Sequence, residues 1–75
     1  MLWNLSEKEK EVLSLVNKGL LNKEIAILLC ITIDTVKKHN KNIFRKMEVR
    51  NRTEAIILFQ QYQLKSIYKI ENIPT

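Results

Sequence analysis

The stretch TVKKHNKNIFRK, residues 35–46, contains five cationic side chains and no carboxylate, together with several apolar residues. An α-helix advances by about 100° per residue. On such a helix, the residues on one side are Val36, Asn40, Ile43 and Met47. The residues on roughly the opposite side are Lys37, Lys38, Lys41 and Arg45. The stretch therefore predicts a helix over about residues 33–47 that is buried along one side and cationic along the other.

The positive charge of the chain is concentrated on this helix and its C-terminal exit. The formal net charge is +5, and between Lys37 and Arg52 seven basic residues accompany a single acid, Glu48. Such a concentration is typical of a surface that binds a polyanion. The alternative is an ordinary solvated face, but a solvated helix normally carries acids as i,i+4 partners of its cations.

The length and composition of the chain predict one small all-α domain, which we place over residues 1–75. Glycine and proline occur once each, and β-branched residues show no sustained alternation. The longest apolar run, residues 25–31, is too short to cross a bilayer, and residues 1–10 carry no export signal. Together with the single cysteine, Cys30, these features predict a cytoplasmic protein with no membrane role.

Capping signals predict two helices before the cationic one. Ser6 and Glu9 have capping-box spacing and Gly19 can close a helix, which predicts a first helix over about residues 6–18. Asn22 is expected to cap a second helix of only two turns. The residues of this second helix that are expected to face the core are Ile25, Leu28 and Leu29.

The link between the second helix and the cationic helix is short. It covers about residues 30–32, and Thr32 is expected to cap the helix that follows. A short helix, a tight link and a longer helix together form a helix-turn-helix.

A fourth helix is predicted after Asn51 and Glu54, which again have capping-box spacing. Its core-facing residues are expected to be Ala55, Leu58, Phe59 and Tyr62. The residues on another side are Ile57, Gln61 and Leu64. Because the core does not need apolar residues there, this side predicts a dimer interface. The alternative is that the C-terminal tail, residues 66–75, folds back and covers it with Ile67, Tyr68 or Ile70.

Three segments, in this order and spacing, resemble a known family: NKEIA at 22–26, TVKKH at 35–39 and VRNRTEA at 49–55. They resemble the LuxR/FixJ-type, or GerE-type, DNA-binding domain of bacterial transcription regulators. The resemblance extends without gaps over residues 5–64. One departure is Leu21, where the family usually has Ser or Thr, and Asn22 is expected to take over its capping role.

The resemblance implies four helices, with the second and third as the helix-turn-helix and the fourth as the dimerisation helix. It places the recognition helix in the major groove of double-stranded DNA. The implied base-contacting residues are Lys37, Lys38 and Lys41. The implied phosphate-contacting residues are Asn22, Lys23, Thr32, Thr35 and Arg45.

The function implied by this resemblance is sequence-specific regulation of transcription by a homodimer on an inverted repeat. RNA polymerase is a further expected partner, and the bacterial cytoplasm, at the nucleoid, is the expected location. The chain is either a stand-alone regulator or the C-terminal domain of a larger one, such as a response regulator. A protein-interaction module that pairs with a full-length regulator and inhibits it is the alternative function. A piece of a sigma factor also has a helix-turn-helix, but the VRNRTEA segment favours the LuxR type.

The residues predict no enzyme. His39 is the single histidine and Cys30 the single cysteine, so no Cys/His cluster has the spacing of a metal site. Glu9 and Glu24 are explained by helix starts rather than by acid–base catalysis. We therefore expect no catalytic residue, no metal, no cofactor and no small-molecule ligand.

Overall fold

The computed structural model describes residues 3–68, with side chains through residue 66. Four α-helices follow one another, joined by short links: α1 Glu7–Asn17, α2 Asn22–Leu29, α3 Ile33–Met47 and α4 Arg52–Tyr68. No strand occurs within 3–68, and α2 and α3 form the predicted helix-turn-helix. The all-α fold is therefore confirmed. None of these helices is long and apolar enough to span a bilayer.

Helix α1 begins with the predicted capping box. The Ser6 hydroxyl accepts a hydrogen bond from the Glu9 backbone N–H at 3.1 Å, and the Glu9 carboxylate accepts one from the Ser6 N–H at 2.9 Å. Gly19, with a φ of +89°, follows the helix in the left-handed conformation that glycine adopts without strain. The interval predicted from the sequence thus agrees with α1 within one residue at each end.

The start of α2 differs from the prediction. Leu21, not Asn22, is the N-cap residue, and its backbone N–H donates to the Glu24 carboxylate at 2.7 Å. Leucine has no side-chain acceptor, so only this half of a capping box forms. The Asn22 amide oxygen instead accepts a hydrogen bond from Asn40 Nδ2 at 3.0 Å. The predicted capping role of Asn22 is therefore wrong, because its side chain joins α2 to α3.

The buried side of α2 also differs from the expected one. Ile25 and Ala26 are buried and Leu29 packs against the core, whereas Leu28 is 60% exposed. At helical spacing Leu28 lies about 100° from Leu29, on the outer side of the helix. The expectation that Leu28 faces the core is wrong, and Ala26 takes that place.

The core forms along the side of α3 that the sequence predicts. Its four expected residues are all buried: Val36, Asn40, Ile43 and Met47. The other helices supply the remaining buried apolar residues, among them Val12, Leu13, Val16, Ile25, Ala55 and Phe59. Complete burial of one such aliphatic side chain contributes about 1.5–3 kcal/mol. The other three helices all contact α3, and α4 packs on α1 as well.

Helix α4 packs through the expected side, extended by an aromatic contact. Ala55 and Phe59 are buried and Leu58 is half-buried. Tyr62 was also expected to face the core, but it is 39% exposed, and its ring centroid lies 5.4 Å from that of Trp3. The alternative expectation, that Ile67, Tyr68 or Ile70 of the 66–75 tail covers the outer side of α4, concerns side chains outside the described residues.

A partly buried ion pair connects the start of α1 to the end of α3. The Lys46 ammonium lies 2.7 Å from a Glu9 carboxylate oxygen, and Glu9 is only 5% exposed. Burial raises the pKa of Glu9, but the Lys46 ammonium and the Ser6 N–H lower it more, so its pKa lies below the ordinary 4.5. Glu9 therefore has a tertiary role in addition to the helix-start role expected from the sequence.

Replacing Glu9 with Gln should make the free energy of unfolding less sensitive to acid. Because the folded state lowers the pKa of Glu9, the charged form stabilises the fold above the ordinary carboxyl pKa. That stabilisation is lost as the pH falls through the folded-state pKa. In urea unfolding, the free energy of unfolding should therefore decrease less between neutral pH and about pH 3 for Glu9→Gln than for the parent.

The glutamine amide keeps the oxygen that accepts from Ser6, so this variant removes the charge and retains the cap. Lys46→Met is the complementary variant, and it should lose about 1–3 kcal/mol at neutral pH because Glu9 is then buried without its partner. Identical acid sensitivity in the parent and Glu9→Gln would contradict the role assigned to the pair.

Candidate nucleic-acid interface

The turn of the helix-turn-helix is fixed by backbone hydrogen bonds. Cys30 adopts a left-handed conformation with a φ of +57°. Its N–H donates to the Ile27 carbonyl at 3.3 Å, and the Ile31 N–H donates to the Ala26 carbonyl at 3.0 Å. This pair of bonds is the Schellman arrangement that closes a helix. Cys30 thus has a conformational role in the turn.

Two threonines organise the first turn of α3. The Thr32 hydroxyl accepts a hydrogen bond from the Thr35 backbone N–H at 3.1 Å, which confirms Thr32 as the N-cap. The two hydroxyl oxygens lie 2.9 Å apart. Because a hydroxyl can accept and donate at once, each threonine retains hydrogen-bonding capacity for a ligand beside the helix N-terminus.

The cationic surface consists of four exposed side chains on one side of α3: Lys37, Lys38, Lys41 and Arg45. None of them forms an ion pair within residues 3–66. The Arg45 guanidinium makes a long hydrogen bond, 3.4 Å, to the Asn42 side chain. These four cations are therefore exposed, and no acid of the described residues lies within salt-bridge distance of them.

The other three basic residues of the segment 37–52 have partners within the fold. Lys46 pairs with Glu9, and the Arg50 guanidinium lies 3.6 Å from the Glu54 carboxylate. Arg52 donates a hydrogen bond to the Leu20 carbonyl. The seven basic residues counted in the sequence therefore overstate the cationic surface, because Lys46, Arg50 and Arg52 have partners within the fold.

An open groove separates the N-terminus of α2 from α3. Its volume is about 370 Å³, and it is lined by Asn22, Lys37, Asn40, Lys41, Phe44 and Arg52. The Asn22–Asn40 hydrogen bond crosses between the two helices at this groove. Asn40 is 8% exposed, and its Oδ1 has no hydrogen-bond partner in the part of the chain that is described. The bond fixes the start of α2 against the middle of α3.

The expected phosphate-contacting residues lie at three places. Asn22 and Lys23 lie in the first turn of α2, while Thr32 and Thr35 lie at the start of α3. Arg45 lies in the last turn of α3, within the cationic surface. The unpaired N–H groups of a helix N-terminus attract anions, so the first two places suit phosphate groups for the same reason.

Two residues of this region were missed by the sequence analysis. Asn40 was placed among the buried residues, but its bond to Asn22 was not expected. Asp34 is exposed in the first turn of α3, one residue before the acid-free stretch begins. It lies four residues before Lys38 and seven before Lys41, so it shares their side of the helix. The helical spacing of Asp34 relative to Lys38 and Lys41 is the sequence signal that indicates its position on this side.

The outer side of α4 is exposed as the sequence predicts. Ile57 is 52% exposed and Leu64 is 50% exposed, and Gln61 between them is also exposed. No side chain within residues 3–66 covers the two apolar residues. Their exposure agrees with a partner surface, while dimerisation itself stays a prediction.

Comparison with known proteins identifies the domain type. Residues 3–59 match the GerE model of the bacterial regulatory proteins, luxR family. The chain belongs to this family. The resemblance of the NKEIA, TVKKH and VRNRTEA segments to a GerE-type DNA-binding domain is therefore confirmed.

Similar proteins of this luxR family include the response regulator protein VraR of Staphylococcus aureus, Staphylococcus epidermidis and Staphylococcus saprophyticus. Each is 50% identical to this chain over 60 residues. The matched region covers 80% of the chain but 29% of each relative, so the chain spans less than a third of their length.

Proposed function

We propose that this luxR-family domain binds double-stranded DNA sequence-specifically and thereby regulates transcription. The recognition helix is α3, residues 33–47, which enters the major groove with its cationic surface toward the bases. One observation carries the proposal: α3 packs into the core on one side and presents on the other four cations that have no acidic partner within residues 3–66. A solvated helix has no need of that concentration of charge.

The cations of α3 are assigned separate tasks. Lys37, Lys38 and Lys41 contact base edges, since an ammonium group can donate to O6 and N7 of guanine. Phosphate contacts come from Asn22, Lys23, Thr32, Thr35 and Arg45, and they fix the register of the domain on the duplex. The Asn22 side chain holds Asn40, so its backbone N–H at the helix N-terminus is the group offered to a phosphate.

The functional unit is a homodimer that binds an inverted repeat. Its interface is the outer side of α4, with Ile57, Gln61 and Leu64. Association of two copies would bury the exposed apolar side chains of Ile57 and Leu64 away from water. A two-fold dimer places its recognition helices on half-sites centred about one helical turn apart.

The remaining parts of the proposal concern the setting of this domain. We place it in the bacterial cytoplasm, at the nucleoid, with RNA polymerase as a further partner. Residues 1–75 act as one DNA-binding domain without enzymatic activity. In a longer protein it would be the output domain, and VraR, the relative described above, is named a response regulator.

Binding to random-sequence duplexes across a salt series, followed by selection of the bound sequences, tests the function. We expect log K to fall linearly with log salt, because cations displace phosphate counterions, and we expect selection to recover an inverted repeat. A triple variant with Lys37, Lys38 and Lys41 changed to Gln is the control and should lose most of this binding. Absence of binding at low salt would contradict the proposal and favour the inhibitory interaction module.

Replacing Lys41 with Ala should weaken binding to the selected site by about 1–3 kcal/mol, with a smaller loss on scrambled DNA. Arg45→Ala should instead weaken both alike and reduce the salt slope by about one, as expected for a phosphate contact. Titration of both duplexes by fluorescence anisotropy measures these losses. Lys18→Ala removes an exposed cation at the end of α1 and is the matched control. Equal losses for Lys41→Ala on both duplexes would contradict base reading.

Replacing Ile57 with Lys should prevent dimerisation, because it places a charge in the proposed apolar contact. The expected result is a loss of roughly tenfold or more in affinity for the complete inverted repeat, with affinity for a single half-site retained. Sedimentation velocity with and without DNA reports the assembly state. Gln63→Lys, on another side of α4, is the control of equal charge. A parent that stays monomeric on the inverted repeat would contradict the dimer.

A further inference from the structure

Asp34 is an acid within the surface that is otherwise cationic. It is the second residue of α3 and is exposed. Helical spacing places it on the side that carries Lys38 and Lys41, four and seven residues later. The proposed DNA-facing side of α3 therefore begins with a carboxylate.

Within residues 3–66 no side chain pairs with this carboxylate. Asp34 has no ion pair or side-chain hydrogen bond with any residue in the described part, although Lys37 and Lys38 follow it at the i,i+3 and i,i+4 spacing at which helical ion pairs form. Thr32 and Thr35 already cap the helix. An acid in the first turn also stabilises the helix dipole, but that effect does not depend on which side of the helix the acid occupies.

A carboxylate on this surface has opposite effects on different DNA sequences. Beside phosphates or base-edge acceptors it is repelled, which weakens binding to DNA in general. Beside the exocyclic N4 amine of cytosine in the major groove it accepts a hydrogen bond. The N-terminal residues of a recognition helix are those that reach base edges in a helix-turn-helix, and Asp34 is among them.

We propose that Asp34 is a specificity-determining residue whose carboxylate accepts a hydrogen bond from a cytosine N4 amine at one position of each half-site. The inference rests on the proposed DNA binding through α3. The three base-reading lysines supply donors, which suit guanine, and Asp34 supplies the acceptor that they lack. Its charge also disfavours other sequences, so discrimination comes partly from repulsion.

The test compares selected sequences from the parent, Asp34→Ala and Asp34→Asn. The parent should recover a motif with one required cytosine in each half-site. Asp34→Ala should lose the preference at that position alone, and Asp34→Asn should shift it toward adenine, which an amide can contact bidentately. Changing this cytosine to thymine should cost the parent about tenfold in affinity and Asp34→Ala less than about twofold.

Glu11→Gln is the matched control, since it removes one exposed acid from α1. It should leave the selected motif unchanged. Circular dichroism of each variant shows whether the helices are retained, as expected for an exposed position.

The outcomes separate this inference from the function on which it rests. A parent that recovers no motif would contradict sequence-specific binding and, with it, the role of Asp34. A parent motif that both Asp34 variants reproduce at every position would overturn the inference alone. If the two Asp34 variants also bound all sequences more tightly than the parent by the same factor, Asp34 would act only by general repulsion.

Discussion

The central constraint on this domain is that α3 has to serve the core and the surface at once. Val36 and Ile43 are fully buried on one side, while Lys37 and Lys41 are exposed on the other. A chain of 75 residues has one small core, and that core includes α3 itself. The position of the cations is therefore set by the same packing that stabilises the fold, and no separate scaffold carries them.

Some basic residues of the segment 37–52 stabilise the fold and others are exposed on α3, a division that the formal net charge does not show. Lys46 differs from Lys41 by five residues, which turns it toward the domain, where it pairs with the buried Glu9. At the start of α4, Arg50 pairs with Glu54, and Arg52 donates a hydrogen bond to the Leu20 carbonyl. The surface that remains is smaller than the basic segment of the sequence.

Local signals in the sequence predicted most of the fold, because they depend on neighbouring residues. The Ser6–Glu9 capping box, the Thr32 cap and the buried side of α3 follow from spacing within one or two turns. The Asn22–Asn40 bond joins residues 18 apart, and no local pattern indicates that Asn22 would bond across helices rather than cap its own. Of the site, exposure of the lysines was predictable, whereas the internal partners of Lys46 and Arg52 depend on how α1, α3 and α4 meet.

The short length of α2 determines how the helix-turn-helix unfolds. A helix of eight residues is marginal alone in water, so α2 persists through its contacts with α3, including Ile25 and the Asn22–Asn40 bond. The helix-turn-helix has no stable existence apart from the whole domain. Loss of the helix-turn-helix shape and global unfolding are then expected to be one cooperative transition, so a ligand bound to α3 would raise the melting temperature of all four helices together.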